Sequence, residues 1–250
     1  MAARSAGRRW LTAGIVIVIV VAIFGALAFV VDWLARGIAE DAVKVAVQSK
    51  LPDEVDADVD VEIGGDWVLL QYLSGTMDEV TISDDSASIN GVPLAMSVTA
   101  SRVPTNLEAP VGDIRVTASL GPDALNGMLT LPGNDPQLSL GDGTLGYADS
   151  VSAFGLDLGY QVTAAAQPDG TDILLTPQDV AITSDAGNLD VSAITSQILG
   201  GGPIRVCVAD YLPVGVTIES IGVTPEAATL VLTGSDLVLS GALANRGSCG

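Results

Sequence analysis

The chain of 250 residues is acidic and aliphatic: 48% of its residues are hydrophobic, only 4% are aromatic, and the net charge is −20 at pH 7. All 30 acidic residues lie after residue 31 together with seven of the ten basic ones, so that part carries a net charge of −23. This charge argues against a nucleic-acid partner, because phosphate backbones would be repelled. The lack of histidine removes the serine–histidine and cysteine–histidine nucleophile systems and the usual histidine-containing metal sites.

A charge-free apolar segment, residues 10–31, follows three arginines near the N-terminus. A helix of about 20 apolar residues spans a bilayer core, and basic flanks stay on the cytoplasmic side. The sequence therefore predicts a cytoplasmic basic tail at residues 1–9, a transmembrane anchor at 10–31 and an extracytoplasmic domain at 32–250 of a single-pass cell-membrane protein. The alternative is a secretory signal cleaved after Ala28, which exports the same domain.

Residues 32–51 show the pattern of an amphipathic helix that Pro52 ends. Its charged residues lie largely away from an apolar stripe formed by Leu34, Ile38, Ala42, Val45 and Ala46. Further short helices are predicted at residues 66–73, 122–129 and 189–199. The glycine and proline content of residues 130–146 favours a connection between two halves of one domain, although the sheet could continue across it.

Aliphatic and acidic residues alternate from Val55 to Ile63, which predicts a strand with one buried and one solvated face. The same alternation predicts that most of the domain is antiparallel sheet, and turn signals occur at Asn90-Gly91 and Pro168-Asp169-Gly170. Further strands are predicted around residues 80–82, 92–98, 114–120, 156–162, 173–175, 180–182, 204–208, 214–223 and 230–239.

The two cysteines, Cys207 and Cys249, both lie in the exported part, where oxidising conditions allow a disulfide. We expect them to pair and to fix the C-terminal tail to a strand. Two free, buried cysteines are the alternative.

No residue pattern defines a catalytic or metal site. Asp56, Asp58 and Asp60 match the start of an EF-hand loop, but Val61 and Trp67 occupy the positions that need glycine and glutamate. A solvated strand face is the better interpretation of these acidic residues. A glycosidase-like pair of carboxylates remains open, since nothing singles out two of the acidic residues. We therefore predict a non-enzymatic protein with no cofactor and no metal.

The order of elements and two short motifs resemble a known family. The motifs are LQYLSGTMDEV at residues 70–80 and RVCVADYLPVGV at residues 205–216, and a cysteine follows near the C-terminus. The chain is identified over about residues 32–250 as similar to the actinobacterial LmeA-type phospholipid-binding family. The resemblance implies an α+β fold of the bactericidal/permeability-increasing type, in which a strongly curved antiparallel sheet wraps a long helix and forms a hydrophobic groove. It also implies phospholipid binding in the cell envelope.

From these observations we expect a membrane-anchored extracytoplasmic protein that binds a phospholipid or related acyl lipid and carries or presents it in envelope assembly. The aliphatic faces of the strands are the expected lipid site, formed by Val59, Val61, Ile63, Val80, Ile82, Ile114 and Val116. Two alternatives remain: a solid-cored module that binds an envelope protein, and an enzyme that acts on a glycolipid with a carboxylate pair.

Overall fold

The computed structural model describes residues 6–49, 55–106, 109–128, 133–153, 156–184, 202–238 and 245–249. Its helices are α1 (Ala6–Gln48), α2 (Val68–Ser74) and α3 (Pro122–Met128), with a 3₁₀ turn at Ala209–Tyr211. Its strands are β1 (Val55–Asp56), β2 (Asp60–Ile63), β3 (Thr76–Ile89), β4 (Val92–Pro104), β5 (Val111–Leu120), β6 (Gln137–Leu140), β7 (Thr144–Ala153), β8 (Leu156–Asp169), β9 (Asp172–Ser184), β10 (Ile204–Cys207), β11 (Val216–Val223) and β12 (Ala228–Leu237).

The described strands form two antiparallel sheets. The first has the order β1-β3-β4-β5-β12-β11, with β2 paired to β3 beside β1, and the second has the order β10-β9-β8-β7-β6. Two turns of the second sheet meet the edge strand β11, where Gly143 N–H donates to Val223 O (3.0 Å) and Ile218 N–H donates to Gly170 O (2.8 Å). Neither of these sheets is closed or strongly curled, so the described strands do not form the expected strongly curved sheet wrapped around a long helix.

The predicted hairpins are confirmed. Asn90 and Gly91 join β3 to β4 with φ of 52° and 78°, and Gly170 joins β8 to β9 with φ of 67°. Asparagine and glycine tolerate this left-handed backbone, which matches the twist of the flanking strands. Turn chemistry and alternation together account for the long hairpins β3–β4 and β8–β9.

The predicted strand from Val55 to Ile63 is interrupted. Both β1 and β2 pair with β3, but Val55 lies opposite Ile89 and Asp60 lies opposite Ser83. Between them, the N–H of Asp58 donates to the buried carboxylate of Asp84 (2.7 Å). A side chain thus replaces a ladder partner at the break, next to the irregular register of β3 and β4.

Residues 130–146 contain strand structure, which agrees with the alternative that the sheet continues across this glycine- and proline-rich range. β6 lies in this range and pairs with β7, which begins at Thr144. Asn126 of α3 supports the outer edge of β6, since its side chain donates to Leu138 O (2.8 Å) and accepts from Leu138 N–H (2.7 Å). The helix predicted at residues 189–199 lies outside the described residues.

The helix α1 is continuous through the predicted anchor and the helix predicted after it. Its contact with the first sheet is polar: Arg36 donates to the carbonyl oxygen of Ile63, and Glu40 Oε1 accepts from the N–H of Ile63 (3.1 Å). Both atoms belong to the outer edge of β2, so the helix covers an edge strand that would otherwise be open to pairing. Lys44 extends this contact by an ion pair with Asp58 (2.8 Å).

The apolar stripe of this helix does not face the sheet. Ile38 is 71% exposed, and the apolar residues Trp33, Leu34 and Val45 are also exposed. An amphipathic helix ordinarily buries its apolar side, whereas here the opposite side carries the contact because the edge of β2 offers unpaired backbone groups. The helix thus lies along the edge of the sheet and is not wrapped by it.

Few apolar side chains are fully buried. Among the described residues, eleven apolar side chains are buried, although 48% of the residues in the whole chain are hydrophobic. They lie at the corner of β2 and α2, where α3 meets β4, and near the 3₁₀ turn and β11; they are Val59, Ile63, Val68, Ala87, Leu94, Val111, Ala124, Ala209, Leu212, Ile218 and Val223. Most other aliphatic residues of the two sheets remain partly exposed.

Asp149 of β7 is a buried carboxylate that organises the segment before β6. It accepts from the N–H groups of Asp135 (2.9 Å) and Ser150 (2.7 Å) and from the hydroxyl of Tyr160 (3.3 Å). These bonds, led by the one from Asp135, outweigh burial and hold the pKa of Asp149 below its usual value. Burial, assisted by Tyr147 and Asp149, raises the pKa of Tyr160 to about 12.

We therefore expect the thermal unfolding midpoint of the full chain to stay level between about pH 5.5 and 8 and to fall below about pH 4. The lowered pKa of Asp149 means that its stabilising contribution is complete above the unfolded-state pKa and is lost as the pH falls through the folded-state pKa. Asp149→Asn should lower the midpoint at pH 7 and reduce its drop on acidification. Circular dichroism melts across pH check this, and an unchanged acid drop in the variant would contradict it.

Candidate functional site

The first sheet places apolar residues in two neighbouring rows that cross its strands. Directly paired residues project to the same side, as do residues two apart on one strand. The first row is Val61, Ile82, Val98, Val116, Leu232 and Ile218, and the second is Ile63, Val80, Ala100, Ile114, Gly234 and Val216. We call this side of the sheet, with the further row Met96, Ala118, Leu230 and Ile221, the apolar face.

The structure brings six of the seven predicted site residues together on the apolar face. Five of these are partly exposed: Val61, Val80, Ile82, Ile114 and Val116. The sixth, Ile63, is buried at the edge that α1 covers, and Val59 is buried in the break between β1 and β2. These two side chains therefore support the corner of the sheet, and the other five are accessible to a ligand.

The opposite side of the first sheet is lined mainly by hydroxyl groups. Thr81 and Thr99 lie across from each other with their hydroxyl oxygens 3.3 Å apart, and Ser119 and Thr229 are related in the same way at 3.2 Å. Arg115 on this side forms an ion pair with Glu219. The sheet is thus polar on one side and aliphatic on the other. This is the pattern of an antiparallel sheet whose polar side faces water and whose aliphatic side is available for packing.

One end of the apolar face is covered by protein. Leu94 of β4 is buried where α3 packs, and Ala124 of α3 is buried there as well. Towards the middle of the sheet, Val98, Val116 and Leu232 are only partly buried. The described residues therefore leave a broad aliphatic strip that a flexible apolar ligand could occupy.

Sequence reasoning missed several members of this face and all of a second one. Val98, Leu232 and Met96 complete the rows. Of their strands, β4 follows β3 through a hairpin, whereas β12 becomes a neighbour of β5 only in three dimensions. On the second sheet, Tyr147, Val162 and Val180 form a similar row, and all three side chains are partly exposed. The alternation in β8 and β9 was the signal that could have indicated this second row.

A shallow, open depression of about 400 Å³ lies on α1, lined by residues that include Trp33, Leu34 and Ile38. Its lining comes from a short stretch of that helix, residues 33–41, and includes charged side chains. This depression is separate from the apolar face. Its composition does not suit the burial of acyl chains.

Cys207 and Cys249 lie at disulfide distance, with their Cα atoms 5.8 Å apart. The residues before Cys249 are held at the 3₁₀ turn by backbone bonds, such as Gly247 N–H to Leu212 O (2.9 Å). The predicted pairing of the cysteines is thus present, and it joins the C-terminal tail to the end of β10.

The acidic residues between Val55 and Ile63 are solvated or paired. Asp56, Asp58 and Asp60 are exposed, and Asp58 contacts Lys44. Within the described ranges, no three acidic, cysteine or histidine residues are grouped so as to hold a metal ion.

The structure defines a class of protein: a mostly antiparallel β domain with a partly uncovered aliphatic face and a long apolar N-terminal helix. A family model described as LmeA-like phospholipid-binding matches residues 30–235. The chain belongs to this family. No curated protein and no solved structure matches the chain. Within the described residues one helical stretch, Val21–Gln48, is long and apolar enough to cross a membrane, a test that a signal sequence also passes.

Proposed function

We propose that the protein binds a phospholipid, or a related acyl lipid, with its acyl chains on the apolar face of the first sheet. The observation that carries the proposal is the row from Val61 to Leu232, which crosses five strands and stays partly exposed. Membership of a phospholipid-binding family supports lipid as the ligand class. The proposed protein binds its ligand without catalysing a reaction and has no catalytic residue.

We also propose that the protein is anchored in the cell membrane. The charge-free residues 10–31 anchor the chain, the arginines before them stay in the cytoplasm, and the domain from residue 32 lies outside the cell membrane. There the protein carries or presents lipid for assembly of the cell envelope. The 22-residue length of the apolar segment favours an anchor over a signal, because signal cores usually have about 7–15 apolar residues.

Burial of the acyl chains dominates the proposed binding energy. Each methylene taken out of water contributes about 0.8 kcal/mol, whereas exposed ion pairs contribute about 0–1 kcal/mol each. The net charge of −23 after residue 31 gives no general attraction for anionic headgroups. Recognition of the lipid should therefore depend on its chains more than on its headgroup charge.

We expect the full chain, purified in amphipol, to bind phosphatidylcholines more tightly as their acyl chains lengthen from six to eight carbons. Full burial would tighten the dissociation constant by up to about fourfold per methylene, and partial burial by less. Raising salt from about 50 to 500 mM should change the affinity little, because apolar burial is not screened. Displacement of a fluorescent phospholipid measures both effects.

Native mass spectrometry of the same preparation should detect a co-purified phospholipid. No bound lipid and no chain-length dependence would contradict the proposal and favour the interaction-module alternative. Conversion of an added glycolipid to a product would instead favour the enzyme with a carboxylate pair.

A further inference from the structure

The helix α2 exposes apolar side chains and buries a polar one. Val68 and Gln71 face inward, while the outward residues are between 42% and 73% exposed. No charged residue occurs from residue 67 to residue 77. We call the outward residues the α2 patch: Trp67, Leu69, Leu70, Tyr72 and Leu73. A contiguous exposed apolar patch of this kind indicates a contact surface.

The α2 patch is held firmly in its exposed position. The buried side chain of Gln71 donates to Gly64 O (3.0 Å) and accepts from Asp78 N–H (2.8 Å), which ties together the segments on both sides of the helix. Gly75, with φ of 85°, ends the helix and donates its N–H to Tyr72 O (3.1 Å). The exposure of the patch therefore belongs to the folded structure.

The same helix stands beside the point where the apolar anchor segment ends. Leu69 N–H donates to a carboxylate oxygen of Asp32 (3.2 Å), and Asp32 is the first charged residue after residues 10–31. One turn later, Arg36 donates to Gly65 O (2.8 Å) and Asp66 O (3.3 Å), just before α2. If residues 10–31 span a bilayer, these bonds place the α2 patch at its outer surface.

The residues at the end of the anchor segment and on α2 have a composition that suits a lipid interface. Trp33, Trp67 and Tyr72 are exposed there and are three of the ten aromatic residues in the chain. Tryptophan and tyrosine concentrate where headgroups meet acyl chains, because their rings are amphipathic. The charge-free patch also gives an otherwise acidic domain a contact that does not depend on the charge of the lipid.

We propose that the α2 patch inserts into the outer headgroup region of the membrane beside the anchor, as a second membrane contact of the domain. This inference rests on the anchoring included in the proposed function. The two contacts together fix which end of the first sheet faces the bilayer, since α2 leads directly into β3.

The test uses three full-length chains, each with one tryptophan, in phosphatidylcholine vesicles with acyl chains brominated near the headgroup. The first keeps Trp10, the second keeps Trp67, and the remaining tryptophans are replaced by phenylalanine. The third carries Glu226→Trp in a chain with all three native tryptophans replaced; Glu226 is exposed in the turn between β11 and β12, at the other end of the sheet. We expect bromine to lower the fluorescence of the Trp67 chain by about twofold or more and to leave the Glu226→Trp chain unchanged.

The outcomes separate the inference from the proposed anchoring. Quenching in the Trp10 chain without quenching in the Trp67 chain overturns the second contact and leaves the anchor in place. No quenching in the Trp10 chain overturns the anchor and this inference with it. A Trp67 emission that depends on protein concentration and not on bromine indicates that a second copy of the chain covers the patch, which also overturns the inference.

A further variant distinguishes the bilayer from a lipid bound on the apolar face. Leu70→Asp with Leu73→Asp should reduce the quenching in the Trp67 chain to the level of the Glu226→Trp chain, while lipid co-purification stays unchanged. Loss of co-purified lipid in a folded variant would assign the patch to the ligand site and overturn its role as a separate membrane contact.

Discussion

Replacing Val116 by glutamate should abolish phospholipid binding. Val116 lies in the middle of the first apolar row, between Val98 and Leu232, and is partly exposed. A carboxylate there would have to lose its hydration when acyl chains cover it, at a cost of several kcal/mol. Displacement of a fluorescent phospholipid from the full chain should therefore show at least about a hundredfold loss of affinity, since about 1.4 kcal/mol corresponds to tenfold.

The matched control is Thr117→Glu. Thr117 is the next residue on β5, is also partly exposed, and projects to the hydroxyl-lined side. Both variants add the same charge to the same strand. A difference in phospholipid affinity between them is therefore caused by the side of the sheet on which the charge lies and not by the charge itself. Equal binding by Val116→Glu and Thr117→Glu, with both chains folded by circular dichroism, would refute the assignment of the acyl chains to the apolar face.

Removal of the Cys207–Cys249 bond should be the most destabilising of the changes considered for the folded domain. The bond spans 42 residues, and a loop of that length corresponds to about 4 kcal/mol on the chain-entropy model. The double variant Cys207→Ser with Cys249→Ser should lower the free energy of unfolding in urea by up to this amount. The tail residues 245–249 should become accessible to carboxypeptidase.

Asp210→Ala is the control for local contacts of the tail. The carboxylate of Asp210 accepts from Cys249 N–H (3.1 Å) at an exposed position, so its loss should matter little when the disulfide is intact. An effect of Asp210→Ala as large as that of the double variant would show that hydrogen bonds and not the covalent link hold the tail.

Most strands were predictable because alternation and turn residues are local signals, whereas β6 and β7 were not predicted. Asn90 and Gly91 indicate the β3–β4 hairpin. Alternating aliphatic residues, Ile114 and Val116 in β5 and two leucines in β12, indicate which side of each strand is apolar. Alternation does not reveal which strands become neighbours. Val116 and Leu232 are 116 residues apart in the chain and lie directly opposite each other, which follows from packing of the whole sheet.

Local patterns failed where a side chain replaced a backbone partner. Asp84 interrupts the predicted strand by accepting the N–H of Asp58, and Asn126 completes the edge of β6 in a segment rich in turn residues. Arg36 and Glu40 attach α1 to the edge of β2 through its polar side. Hydropathy periodicity assigns such a side to solvent, because it carries no information about unpaired backbone groups elsewhere in the chain.

The continuity of the helix α1 would limit how far the domain can move relative to a bilayer in which the helix is anchored. The helix has 43 residues and a length of about 65 Å at 1.5 Å per residue. If residues 10–31 lie in a bilayer as proposed, residues 32–48, which include the contact with β2, extend about 25 Å beyond it. A tilt of about 20° then displaces the end of the helix by only about 10 Å. On the proposed anchoring, the domain stays close to the bilayer and moves along it only together with its helix. Lipid would then have to reach the protein and leave it by diffusion in the membrane or with other molecules.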